Sequence, residues 1–234
     1  MESLKDFFPS PISLNNYLEV FKQIPMMGSF FWSSLLVCFW GVVLELLFCS
    51  LAAYPLARMK FFGKNFIMVL LLSTLLLPVQ AAMVINFITI RQLHLFDTYT
   101  AVILPGAVSA FGIFLMRQAF LVIPQELLDA ARIDGTNELQ LWWKILLPLT
   151  RPHLAALTIF TFVAYWNTFM WPLIVLKHEA KYPVTVGLSY LANMFASDFR
   201  IVAAASILSS LPVLILFLFT QKYFIKGMEG IGKI

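Results

Sequence analysis

Long apolar runs alternate along this chain with short clusters of charge, proline and glycine. A bilayer-spanning helix needs about 20 mostly apolar residues. That rule predicts five spans, near 30–57, 65–90, 99–121, 153–176 and 200–225. Runs such as Val69-Leu70-Leu71-Leu72 lack the period-two alternation of membrane-barrel strands. The expected fold class is therefore all-α integral membrane. One segment departs from the pattern: residues 122–151, between the third and fourth spans, are polar and helix-forming.

Within that segment Pro124 suits a helix start, where its missing N–H costs little. Glu126 and Asp129 follow in the early turns, where negative charge favours the helix dipole. Leu127, Leu128, Ala131 and Ile133 supply an apolar side. Asp134-Gly135 then ends the helix, with glycine free to turn left-handed. Thr136 is placed to cap a second helix over 137–146, with Leu139, Trp142, Trp143 and Leu146 on one aromatic-rich face. Pro148 and Pro152 are expected to break the chain before the next span. On the residues alone such a hairpin has two uses. It can lie on lipid headgroups, anchored by its tryptophans, or enter a groove in a partner outside the membrane.

Composition fits the lipid reading. The 234 residues are 61% hydrophobic and only 12% charged, about half the charge of a soluble domain. The net charge of +4 would suggest nucleic acid in a soluble protein, but here topology accounts for the cations. Arg58, Lys60 and Lys64 follow the first span; Arg117, Arg132, Lys144 and Arg151 fall at or between the third and fourth spans; Lys222, Lys226 and Lys233 follow the last span. The positive-inside rule puts these alternate ends in the cytoplasm. Segment 122–151 and tail 226–234 are then cytoplasmic, and the N-terminal segment 1–29 is exterior. The start, Met1-Glu2-Ser3-Leu4-Lys5-Asp6, lacks the basic and apolar regions of a signal peptide. An exterior N-terminus with no exporting helix implies that one preceding span is absent from this chain.

The remaining chemistry is sparse. Cys38 and Cys49 share one apolar run, roughly 16 Å apart along a helix at 1.5 Å per residue, and read as packing residues. His94, His153 and His178 show no metal-ligand spacing. Glu45 lies mid-span, where charge is expensive, and reads either as a translocation-path residue or as an interhelical hydrogen-bonding group. Gln80, Asn86, Trp166 and Asn167 are further path candidates, with interhelical bonding the alternative for the amides. Paired acids or a Ser/His constellation, which an intramembrane enzyme would need, are not evident. Gly63-Lys64-Asn65 lacks the first glycine and the hydroxyl of a phosphate-binding loop, so energy must come from elsewhere.

The polar segment resembles the EAA loop of ATP-binding-cassette importer permeases. Asp129-Ala130-Ala131, then Gly135, then Ile145-Leu146-Leu147-Pro148 follow that family's spacing. Ala130-Ala131-Arg132-Ile133-Asp134-Gly135 matches its carbohydrate branch. Asp129 departs from the family's Glu, with the same charge and one methylene less. Ala53-Tyr54-Pro55-Leu56-Ala57-Arg58, Ala110 to Gln118, Trp166-Asn167, Pro172-Leu173 and Gly230-Ile231-Gly232-Lys233 extend the likeness over nearly the whole chain. It is nearest to the second permease subunits of maltose-type and glycerol-3-phosphate-type importers. Those subunits usually have six spans, and residues 11–18 are similar to the exterior segment after their first.

The resemblance implies a sugar-translocating subunit working by alternating access, in the bacterial inner membrane. Its partners would be a second permease, two cytoplasmic ATPase subunits and an exterior solute-binding protein, with no nucleic acid. ATP and magnesium would be held by the ATPases, and this chain would hold no cofactor. Glu126, Asp129, Ala130, Ala131, Arg132, Asp134, Gly135 and Pro148 would couple it to them. Small residues there allow close approach, so a bulky change at Ala131 should uncouple hydrolysis from transport. Arg132 and Asp134 are placed to pair with the ATPase or with each other. Glycerol 3-phosphate or a related polyol phosphate is the alternative cargo. A truncated, non-transporting assembly subunit is the alternative of another class.

Overall fold

The computed structural model describes residues 15–194 and 199–229, with side chains over 15–190 and 200–219. Expectations for residues 1–14, for the charges of Lys222, Lys226 and Lys233, and for the tail from 230 onward fall outside the described residues. Every regular element among the described residues is helical.

The spine is α2, Met27–Arg58, preceded by the short α1, Asn15–Gln23. Gly63, left-handed at φ 81°, turns the chain into α3, Lys64–Thr74. The single span expected over 65–90 is instead two helices. The chain bends by 100° between α3 and α4, Val79–Gln92. The break precedes Val79, where Pro78 is held extended and cannot donate to the preceding turn. The next expected span bends more gently, by 51°. α5, Tyr99–Ile103, runs into a 3-10 turn at Leu104–Gly106, and Ser109 then caps α6, Ala110–Leu121, by accepting from Gly112 N–H at 2.8 Å.

The polar segment forms α7, Gln125–Ile133, and a second rod. That rod comprises α8, Glu138–Gln140, a π-helical stretch Leu141–Leu146, and α9, Leu147–Leu149. It bends by 82° into α10, Arg151–Trp166. The break expected from Pro148 and Pro152 before the next span falls between them, at Thr150; Pro148 itself sits in the first turn of α9 and Pro152 in the first turn of α10, where proline is tolerated. Nor does the span expected over 153–176 run through. α10 stops at Asn167, and α11, Met170–Val175, resumes after it. α12, Val184–Met194, and α13, Phe199–Glu229, complete the bundle.

Two cores share α2. Its first half packs Met27, Phe30 and Val37 with Tyr165, Trp166, Val175, Val184 and Ile201. Its second half packs Cys49, Ala53 and Leu56 with Ile113, Met116, Phe120, Leu128, Leu141 and Leu146. Both cysteines are buried free thiols in this packing. Outside the cores large apolar groups stand bare, including Phe66, Val69, Leu76, Val84 and Ile85 on α3, α4 and their bend. A lipid-facing surface requires nothing else, since acyl chains solvate such side chains.

Candidate functional site

The hairpin of α7 and the 138–149 rod is built by local signals. Gly135 takes φ 84° and closes α7 in a Schellman turn: its N–H donates to Arg132 O at 3.0 Å, and Thr136 N–H donates to Ala131 O at 3.0 Å. The second helix is capped one residue later than expected. Asn137 accepts from Gln140 N–H at 2.8 Å, and Gln140 returns the contact in a capping box. The aromatic face expected on that helix is split. Trp142 and Leu146 are buried with Leu141, whereas Leu139 and Trp143 are 65% and 62% exposed. The π-helical stretch adds a residue to the turn and so rotates neighbouring positions apart.

A polar chain ties the hairpin to the end of α2. Arg58 donates to the carbonyls of Phe120 and Ile123, closing α6, and to Gln125 Oε1 at 3.2 Å. Gln125 donates to Asp129 Oδ1 at 3.0 Å, and Arg132 donates to the same oxygen at 2.9 Å. Arg132 also pairs with Glu138 at 3.0 Å, and Tyr54 of α2 donates to Glu138. Of the two pairings open to Arg132 and Asp134, the one with each other is absent among the described residues, because Glu138 and Asp129 occupy the guanidinium. Its hydrogen bonds to the Glu138 and Asp129 carboxylates outweigh burial and hold Arg132 charged, its pKa raised. Those from Arg132 and Tyr54 keep the Glu138 carboxyl below its ordinary range.

This arrangement decides which residues remain available. Leu128 is fully buried, and Ala131 is half-buried against the second core. A bulky change at Ala131 therefore strikes the chain's own interior, not only a partner. Glu126, Asp129, Ala130, Asp134 and Gly135 are exposed, with Leu127 at 45% and Ile133 at 87% exposure beside them, and Pro148 is exposed on the rod. Tyr54, Arg58, Gln125 and Glu138 are the members sequence reasoning missed. Tyr54 and Arg58 entered only through the Ala53–Arg58 run that resembles the family, with Arg58 also counted among the topology-setting cations.

A second site lies within the bundle. Glu45 and Asn86 line one cavity of about 530 Å³, together with Ser109, Thr161, Tyr165 and Trp171. Glu45 is buried and accepts from Ser109. Gln80, Trp166 and Asn167 do not line it. Gln80 is exposed on α4. Trp166 is core, donating from its indole to Ser209 O at 3.0 Å and stacking on Phe162. With Asn167 it borders a separate space of about 220 Å³ against α13.

Comparison with known proteins shows the family. The family described as "Binding-protein-dependent transport system inner membrane component" matches residues 45–230. The chain is 40% identical over 222 residues to the arabinooligosaccharides transport system permease protein AraQ of Halalkalibacterium halodurans, covering 95% of this chain and 80% of that one. It is 36% identical over 218 residues to the lactose transport system permease protein LacG of Rhizobium radiobacter, covering 92% and 79%. A chain in the crystal structure of a bacterial ABC transporter involved in importing the acidic polysaccharide alginate superposes with a TM-score of 0.80. That match has 29% identity and covers 93% of this chain and 81% of that one. The apolar helices, the hairpin and the cavity therefore belong to a transport protein: the chain is a member of the binding-protein-dependent transport system inner membrane components, the permease family of ATP-binding-cassette importers.

Proposed function

We propose that this chain is one of two permease subunits of a bacterial sugar importer, driven by separate ATPase subunits that dock on α7 from the cytoplasm. The observation that carries the reading is the hairpin's two-sidedness. One side is fastened to α2 and α6 through Arg58, Tyr54 and Leu128. The other leaves Leu127, Ala130 and Ile133 bare beside a tight glycine turn. A helix presenting apolar side chains on a braced mount suits insertion into a groove. Force on it then reaches the spine rather than dissipating in a loop. Relatives that transport arabinooligosaccharides and lactose support sugar as the cargo class.

Differential contacts of α7 in two ATPase states would bias the bundle between inward- and outward-facing forms. The test is affinity co-purification of the tagged chain, expressed with a companion permease and ATPase from the same genome. Wild type should retain the ATPase, and Ile133→Glu should release it while leaving the permease pair assembled. No retention by wild type, or equal retention by the variant, would refute the docking role.

A further inference from the structure

We infer that the cavity between α2, α4, α6 and α10 is a contact site for an uncharged, polyhydroxylated cargo, with Glu45, Asn86 and Thr161 as its hydrogen-bonding groups. The inference rests on the permease reading above and adds a statement about cargo charge. At about 530 Å³ the cavity lies within the range of small-molecule sites.

Three features point to a ligand of this chemistry. The first is Thr161, whose hydroxyl is buried with no hydrogen-bond partner among the described residues. A helical threonine ordinarily satisfies itself on the carbonyl four residues back. Thr158, one turn earlier in α10, does so on Leu154 O at 2.8 Å. Thr161 lines the cavity instead, and an unpaired buried hydroxyl calls for a partner supplied from that space.

The second feature is the character of the polar groups. Glu45 accepts from Ser109 with one carboxyl oxygen, and its other oxygen has no partner among the described residues. Asn86 adds an amide, both donor and acceptor, from α4. A carboxyl acceptor, an amide and a free hydroxyl together match the mixed donors and acceptors of a sugar ring's hydroxyls. Among the described residues, no lysine, arginine or histidine lines the cavity. A phosphate or uronate would therefore meet Glu45 without a compensating cation.

The third feature is the aromatic wall. Tyr165 donates its hydroxyl to Ile103 O at 2.7 Å, and Trp171 donates its indole N–H to Ala101 O at 2.9 Å. Their polar atoms are spent on the backbone of α5, which fixes the rings and leaves the cavity apolar surface. Phe160 is held edge-on to Phe111 with ring centroids 5.4 Å apart. Fixed ring surfaces beside hydrogen-bonding groups accommodate the C–H faces of a sugar while its hydroxyls reach the polar side.

The experiment is uptake into proteoliposomes by the whole importer, with its companion permease, ATPases and binding protein. The probes are lactose and arabinotriose as neutral sugars, and glycerol 3-phosphate and digalacturonate as anions. We expect ATP-dependent uptake of a neutral probe, with Thr161→Val and Asn86→Leu raising its KM about five- to tenfold, the loss of one hydrogen bond each. Glu45→Gln, whose amide oxygen still accepts from Ser109, should slow neutral uptake and raise the ratio of anionic to neutral uptake. Co-purification of the companion permease and ATPases checks that each variant assembles. Neutral uptake with unchanged KM in Thr161→Val and Asn86→Leu would overturn the site and leave the permease reading standing. Preferential uptake of an anionic probe by wild type would overturn the cargo charge alone. ATP-stimulated uptake of no probe at all would overturn both readings.

Discussion

At the scale of single residues, the cations that topology sends to one end of the bundle also finish its helices. The last carbonyls of a helix lack intrahelical donors. Arg117 donates to Leu56 O at 3.0 Å, and Lys64 donates to Ala57 O at 3.1 Å and Met59 O at 3.2 Å. Arg58 performs the reciprocal service for Phe120 and Ile123 at the end of α6. Hydrogen bonds from a charged donor contribute about 1.5–3 kcal/mol each. Arg58→Met should accordingly lower stability by about 2 kcal/mol, read as a fall in unfolding temperature in detergent. Gly135→Ala forces a side chain into the left-handed region and should cost about 1 kcal/mol by the same assay. Asp97 is the residue-scale anchor of a different loop. It accepts from Lys177 N–H at 2.9 Å, His178 N–H at 3.2 Å and Lys181 Nζ at 3.0 Å. Burial alone would raise its pKa, but these donors prevail and hold the carboxyl well below its ordinary range. A depressed native pKa gives stability that is present above the unfolded pKa, about 3.9, and lost as pH falls below it. Asp97→Asn should thus be less stable than wild type at pH 7, and the gap should narrow only below about pH 4. A gap that stayed constant down to pH 3 in thermal unfolding would contradict this.

At the scale of elements, close helix approach fixes how α2, α5 and α10 sit around the cavity. A Cβ on Gly41 would lie 2.4 Å from the Tyr165 ring, and one on Gly106 would lie 2.6 Å from its hydroxyl. Tyr165 is thus gripped between two glycines on different elements. Gly41→Ala should cost about 1–3 kcal/mol by overpacking, and Tyr165→Leu in the same chain should recover part of it. A double-mutant cycle of unfolding temperatures measures that coupling, and additive effects would count against the clamp. Hydrophobic run length located α2 because an unbroken apolar helix needs no other information. The same rule joined α3 to α4 across Pro78 and α10 to α11 across Asn167, since composition does not register a bend inside an apolar run. In the hairpin, Gly135 was legible because a left-handed turn demands that residue type. The Arg132–Glu138–Tyr54 chain was not, because Tyr54 lies 84 positions from Glu138 in sequence. Glu45 and Asn86 were legible as polar groups in apolar helices, but that signal also selected Gln80 and Trp166. Only packing separates residues lining the cavity from those beside it.

At the scale of the whole molecule, the hairpin and the cavity hang on the same helix, which supplies both Tyr54 and Glu45. From Tyr54, a displacement of α7 can reach Glu45 through about two and a half turns of one continuous helix, provided that the brace transmits it. The brace is thin. Arg132 and Glu138 are partly exposed, and isolated exposed pairs contribute little stability. Tyr54 and Arg58 make the difference, because they fasten the pair to α2 and α6. Removing Tyr54's hydroxyl should therefore leave the fold and the proposed docking face intact while loosening their connection. Tyr54→Phe is expected to bind the ATPase as wild type does and to hydrolyse ATP at a comparable rate, but to move about tenfold less cargo per ATP. Glu138→Gln, which still accepts from Tyr54 but loses its charge partner for Arg132, should fall between the two. Cargo moved per ATP in proteoliposomes is the readout, taken beside co-purification of the ATPase. A loss of ATPase binding in Tyr54→Phe would make the hydroxyl part of the docking face, and an unchanged ratio with binding retained would show that force reaches α2 by another route.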